Sequence, residues 1–156
     1  MRAIILAALL VFMVTPAFAA DTETKQAKQA SPKEVYELSE KCSKSAAEKF
    51  KQNVLMGVTP PWGWSKYDDG TDMSTTYSNH YSAKLNKCLL LVTITHFEKS
   101  GVWFTRIVRD VHENKEIAIL IYSNSPSWEV LTCKVLDQAC SSESEWDSLL
   151  KPYMEE

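Results

Sequence analysis

The sequence predicts an α+β fold in which an N-terminal amphipathic helix packs on a five-stranded antiparallel meander and a short C-terminal helix follows. Three observations predict it. Apolar residues recur every three or four positions after residue 31, the pattern changes to strand-like alternation beyond residue 70, and helical periodicity returns after residue 142. Short connections between the predicted strands make consecutive strands antiparallel neighbours.

The first helix is predicted to begin at residues 31–34 (SPKE). The Ser31 hydroxyl can accept an N–H of the first turn, Pro32 has the φ angle suited to that turn, and Glu34 can reach back to complete a capping box. One apolar stripe follows, made of Val35, Leu38, Cys42, Ala46, Phe50 and Val54. The stripe predicts that Cys42 faces the core.

The five strands are predicted at roughly 73–83, 87–97, 102–112, 116–122 and 128–135. The first four strands are predicted to be joined by tight turns, each containing a residue that favours a turn, namely Asn86, Gly101 and Asn114. A longer link of residues 123–127 precedes the last strand. Alternation within two strands predicts two core-facing sets, which are Cys88, Leu90, Val92 and Ile94 in one and Leu131, Cys133 and Val135 in the other.

The last helix is predicted to open with a second capping box at residues 142–145 (SESE). Trp146, Leu149, Leu150 and Tyr153 fall on one side of it. Pro152 is expected to limit its length, because proline removes a helical hydrogen bond and its ring collides with the preceding turn.

The four cysteines allow three pairings, and their even number in an exported chain favours disulfides. The predicted layout selects one pairing. Cys42 on the helix stripe meets Cys88 on the apolar face of the sheet, whereas Cys133 and Cys140 bracket the turn from the last strand into the last helix. We expect both bonds to be structural.

The N-terminus has the pattern of a secretory signal peptide. One arginine precedes an apolar run that is too short to span a bilayer, and Ala17 and Ala19 form a signal-peptidase site. We therefore predict a signal peptide at 1–19, a flexible leader at 20–30 and a single α+β domain at 31–156. The location is predicted to be periplasmic or secreted, with no membrane span.

Charge and motifs exclude several function classes. The net charge is −3 and no basic cluster is present, which argues against nucleic acid or anionic lipid as partner. Hydrolase, zinc-protease and phosphate-loop motifs are missing, so no catalytic residue, cofactor or metal is predicted. His80, His96 and His112 are expected to lie in different rows of the sheet, too far apart to share a metal ion.

The candidate ligand-binding residues are aromatic. Trp62, Trp64 and Tyr67 lie in a segment rich in proline and glycine, where they either pack on the fold or present a flat surface to a sugar or peptide. His80 and Tyr81 on the first predicted strand could extend such a surface.

Residues 79–88 (NHYSAKLNKC), followed by an aliphatic strand, resemble a motif of a widespread group of small exported bacterial proteins. The early Cys42 and the late helix around Trp146–Met154 are similar to that group as well. The resemblance covers most of residues 31–154. It implies an exported domain in which the first cysteine pair is bridged, and it implies no activity, ligand or catalytic residue.

The leading hypothesis is a non-enzymatic binding module of the bacterial envelope that recognises a protein, peptide or glycan. Two alternatives stay open. One is an extracytoplasmic enzyme with a non-standard site at His80 or His112, and the other is an inhibitor of a foreign hydrolase that acts through a protruding Trp62–Tyr67 loop. The sequence does not indicate an oligomeric state.

Overall fold

The computed structural model describes residues 31–57, 59–124 and 129–155. The predicted signal peptide, the leader and most of the link before the last predicted strand lie outside the described residues. Within the described residues, two helices and seven strands follow one another as α1 (Pro32–Leu55), β1 (Gly63–Lys66), β2 (Asp72–Ser82), β3 (Lys87–Glu98), β4 (Gly101–Asp110), β5 (Glu116–Ser123), β6 (Glu129–Val135), β7 (Gln138–Ala139) and α2 (Glu143–Met154).

The strands form one antiparallel sheet in the order β1 to β7, so the predicted meander is confirmed and the predicted strand count is wrong. The two additional strands are short and lie at the two edges. Strand β1 comes from a segment whose prolines and glycines predicted a loop, and β7 has only two residues, too few for a recognisable alternation. The turn into β7 places Leu136 at φ 53°, a conformation that leucine rarely adopts.

Helix α1 begins as predicted. The Ser31 hydroxyl accepts the Glu34 N–H, and the Glu34 carboxylate accepts the Ser31 N–H, which completes the capping box. Gly57 follows the helix at φ 68° and its N–H is donated to Val54. The helix contacts β2 and β3, and the ring of Phe50 stacks on Tyr77 at 4.4 Å between centroids.

The sheet carries a buried cluster on each face. Consecutive β3 residues alternate between them, since Cys88 and Leu90 pack with α1 whereas Leu89 packs with α2. We call the two sides the α1 face and the α2 face. The α2 cluster comprises Leu89, Val108, Ile117, Ala118, Leu120, Tyr122, Cys133, Val135, Trp146 and Leu150.

Both predicted disulfides are present, Cys42–Cys88 and Cys133–Cys140. The first bond joins α1 to the start of β3. This agrees with the prediction that Cys42 and Cys88 lie on the apolar faces of the helix and the sheet. The second closes the β6–β7 hairpin, so its second cysteine follows a strand that the sequence did not predict.

Leu131 was predicted to face the core, but it does not. It is 46% exposed, whereas the neighbouring Val130 packs against the α2 cluster. The register explains the difference, because Ile121 pairs with Thr132 while Tyr122 pairs with Val130. Leu131 is therefore the extra residue of a β-bulge, and the alternation shifts by one position there.

Helix α2 differs from its prediction at both ends. The Ser142 hydroxyl accepts the Glu145 N–H, but the Glu145 carboxylate accepts the N–H and hydroxyl of Ser141 rather than the Ser142 N–H. Pro152 lies inside the helix, which continues to Met154. Pro152 lies only two residues before the end of the helix, so the hydrogen bond that proline cannot donate is lost in the last turn alone.

A buried carboxylate organises the turn after β4. Asp110 is 2% exposed, and its carboxylate accepts the Lys87 ammonium at 2.5 Å and the N–H groups of His112 and Glu113. Burial alone raises the pKa of Asp110, but the Lys87 ion pair and the two N–H donors outweigh it and leave the pKa below its ordinary value.

Because the folded pKa of Asp110 is depressed, the ionised carboxylate stabilises the fold fully above about pH 4, and that stabilisation is lost as the pH falls through the folded pKa.

We expect Asp110→Asn to lower the free energy of unfolding by about 1.5–3 kcal/mol at pH 7 and to flatten its pH dependence below about pH 4. Urea unfolding between neutral and acidic pH measures both. The control is Glu113→Gln, because that side chain is 60% exposed and its loss should matter little. Parallel acid curves for wild type and Asp110→Asn would contradict the assignment.

Candidate functional site

The strand register brings one row of side chains together across five strands on the α2 face. Trp64 lies opposite Ser74, Ser74 opposite Thr95, Thr95 opposite Phe104, and Phe104 opposite Tyr122. Partners in such a register point to the same side of the sheet. At the usual strand spacing the row is about 19 Å long.

A second row runs beside the first. Thr76 lies opposite Thr93, and Thr93 lies opposite Arg106. Phe97 is two residues beyond Thr95 on β3 and therefore shares its face. We define the aromatic–hydroxyl platform as the eight residues Trp64, Ser74, Thr76, Thr93, Thr95, Phe97, Phe104 and Tyr122.

Two aromatic pairs flank the hydroxyls of the platform. The rings of Trp64 and Phe97 stack at 4.9 Å between centroids, and those of Phe104 and Tyr122 at 4.7 Å. Ring stacking reduces the freedom of each side chain, so the rings of Trp64, Phe97 and Phe104 present fixed apolar surfaces, and the buried Tyr122 ring supports Phe104. Trp64 and Thr76 are exposed, and the other members except the buried Tyr122 are half-buried.

Arg106 forms the boundary between the platform and α2. Its guanidinium lies 3.2 Å from the Glu143 carboxylate and 3.1 Å from that of Asp147, and it stacks on the Trp146 ring at 4.4 Å. The Tyr122 hydroxyl donates to the same Glu143 carboxylate. Burial and that neighbouring carboxylate raise the pKa of Tyr122, so its phenol stays neutral.

The predicted aromatic segment is only partly a loop. Residues 63–66 form β1, paired with β2, so the protruding loop required by the inhibitor hypothesis is replaced there by an edge strand. Trp62, Trp64 and Tyr67 are 69%, 56% and 40% exposed. Of the three, the register places Trp64 on the platform, while Trp62 and Tyr67 adjoin the two ends of β1.

His80 and Tyr81 do not extend the platform. His80 lies opposite Leu89 in the part of the α2 face that is occupied by the core, and its Nε2 atom is buried without a hydrogen-bond partner. Tyr81 is on the α1 face, where its hydroxyl donates to Asn86. The two side chains therefore belong to opposite sides of the sheet.

The three histidines lie apart from one another, His80 and His96 in the sheet and His112 in a turn. His80 pairs with Leu89 and His96 with Trp103, while the His112 N–H is donated to Asp110 in the turn after β4. In the part of the chain that the structure describes, no three His, Cys, Asp or Glu side chains form a group that could hold a metal ion.

A cavity on the α1 face is too small to be an alternative ligand-binding site. It has a volume of about 40 Å³ and lies between the end of α1 and strands β3 and β4. Asn53, Thr59 and Arg109 supply its polar groups. That volume suits a few water molecules, whereas small-molecule sites are many times larger.

Sequence reasoning missed most of the platform, namely Ser74, Thr76, Thr93, Thr95, Phe97, Phe104 and Tyr122. A signal was present in the alternating hydroxyl residues, with Ser or Thr at every second position of 74–78 and again at 93 and 95. Such alternation marks a solvent-facing side of a strand. Only the register, however, brings the hydroxyls beside the aromatic pairs.

No family model, no curated protein and no solved structure matches this chain. Within the described ranges, neither helix is long and apolar enough to cross a membrane.

Proposed function

We propose that this chain is an exported, non-enzymatic binding module, periplasmic or secreted, that recognises a protein, peptide or glycan through the aromatic–hydroxyl platform and the adjoining Trp62. The observation that carries the proposal is the row from Trp64 to Phe104. It combines accessible aromatic surface with hydroxyl groups on one face of the sheet.

Exposure of large aromatic side chains supports a binding role. Trp62 and Trp64 leave more than half of their surface in water, an arrangement that typically marks an interaction site. Trp64 is also held by Phe97, so little conformational freedom remains to be lost when a ligand binds.

The disulfides support an extracytoplasmic location. Both cysteine pairs are bridged, and such bonds persist in oxidising compartments. The predicted signal peptide at residues 1–19 and the resemblance to small exported bacterial proteins support the same location, and both remain part of the proposal.

We expect Trp64→Ala to abolish ligand capture by the immobilised protein and to lower the free energy of unfolding by no more than about 1 kcal/mol. The small stability cost follows because Trp64 is 56% exposed, so the substitution removes little buried surface beyond its stacking on Phe97. Capture from a bacterial envelope extract, with protein and carbohydrate assayed in the eluate, measures the first effect. Thermal melting measures the second.

The matched control is Tyr36→Ala, which removes an aromatic side chain of 71% exposure from α1, away from the platform. It should leave both capture and melting unchanged. If Trp64→Ala instead unfolds the protein, the residue is part of the core, and if capture survives the substitution, the platform is not the binding surface.

A further inference from the structure

We propose that the platform binds an uncharged polysaccharide chain, an inference that rests on the proposed function. It names the ligand class for the same surface and follows from the charge, shape and hydrogen-bonding groups of the eight platform residues.

The platform is electrically neutral. Its members carry indole, phenyl, phenol and hydroxyl groups, and the charged residues lie at its two ends. At one end Lys66 lies opposite Asp72 in the strand register, and at the other Arg106 forms ion pairs with Glu143 and Asp147. The eight platform residues themselves offer no charge to an anionic glycan or another strongly charged partner, so the surface is complementary to a neutral ligand.

The arrangement of groups fits a chain of sugar rings. A pyranose has an apolar face of C–H groups and an edge of hydroxyls, so it requires a flat apolar surface next to donors and acceptors. The Trp64–Phe97 pair and the half-buried Phe104 ring provide the apolar surfaces, and the buried Tyr122 ring supports Phe104. Ser74 and Thr95 lie between them in the same row, and each hydroxyl both donates and accepts. The part of the row from Trp64 to Phe104 is about 14 Å long at the usual strand spacing, which accommodates about three sugar units.

A peptide fits this face less well. Peptides that bind sheets usually pair with an open edge through backbone hydrogen bonds, or insert side chains into apolar pockets. The backbone at Ser74, Thr93, Thr95 and Phe104 is paired on both sides within the sheet. Peptide addition would therefore use the sheet edge, formed by β1 and by β2 beyond Thr75, and leave Thr93 and Thr95 uninvolved.

The test is a titration of the disulfide-bonded protein with a defined set of probes. The neutral ones are cellohexaose, xylohexaose, maltohexaose and hexa-N-acetylchitohexaose, the anionic one is hexagalacturonate, and the last is an uncharged extended peptide of serine, threonine and valine. We expect at least one neutral hexasaccharide to bind with an affinity that is insensitive to salt. Trp64→Ala should weaken that binding about tenfold or more, and Thr93→Val and Thr95→Val should weaken it about two- to tenfold each.

The outcomes separate this inference from the proposed function. Failure of all four neutral hexasaccharides to bind, or binding of hexagalacturonate alone, overturns the inference. Peptide binding that is lost in Trp64→Ala also overturns it but retains the platform as a binding surface. Hexasaccharide binding that Trp64→Ala leaves unchanged contradicts the platform itself. Tyr36→Ala serves as the matched control, with unchanged affinity for every probe.

Discussion

Replacing Cys42 and Cys88 together by alanine is expected to lower the free energy of unfolding by about 4 kcal/mol. The bond joins residues 46 positions apart, so its loss restores a large loop to the unfolded chain. It also removes the covalent link between α1 and β3 in the cluster where both cysteines are buried. Urea unfolding under oxidising conditions measures the change.

The second disulfide is the internal control for that experiment. Cys133 and Cys140 are only 7 positions apart, so their joint replacement by alanine should lower the free energy of unfolding by about 2.5 kcal/mol. An equal or larger loss from this pair would contradict the view that the long bridge is the main covalent contribution to stability.

Trp146→Ala should lower the free energy of unfolding by about 3–5 kcal/mol. Trp146 is the largest fully buried side chain, with an exposure of 0%, and it lies in the cluster that joins α2 to the sheet. Its removal opens a cavity and also takes away the ring on which Arg106 stacks. Chemical unfolding monitored by far-ultraviolet circular dichroism measures the loss without relying on tryptophan fluorescence.

Leu131→Ala is the control for the core substitution. Although the sequence pattern placed Leu131 in the core, the bulge in β6 leaves it 46% exposed. The change in free energy should stay within about 0.5 kcal/mol. A loss comparable to that of Trp146→Ala would show that Leu131 is packed and that the bulge is absent.

The sequence predicted those features of the fold that depend on local patterns. The capping box at Ser31, the apolar stripe containing Cys42 and the turn residues Asn86 and Asn114 each act within a few positions of the chain. The two disulfides followed because alternation correctly assigned Cys88 to the face that meets α1. Local patterns could not predict β1 and β7, since strands of four and two residues depend on pairing with a neighbour rather than on their own alternation.

The candidate site depended even more on long-range pairing. Trp64 was recognised because it lies in an aromatic segment rich in proline and glycine, whereas Phe104 and Tyr122 have the pattern of ordinary strand residues. The register joins these positions across four intervening strand boundaries. The same register explains why His80 and Tyr81, although adjacent to each other in sequence, contribute to opposite faces and not to the platform.

Mapping of amide chemical-shift changes on the isotope-labelled protein, titrated with the neutral hexasaccharide that binds most tightly, tests the platform most directly. If the ligand binds on the platform, the changes will concentrate in β1 and in the segments of β2, β3 and β4 around Ser74, Thr95 and Phe104, with no change along α1. Changes centred on α1 or on the α1 face of the sheet would contradict it.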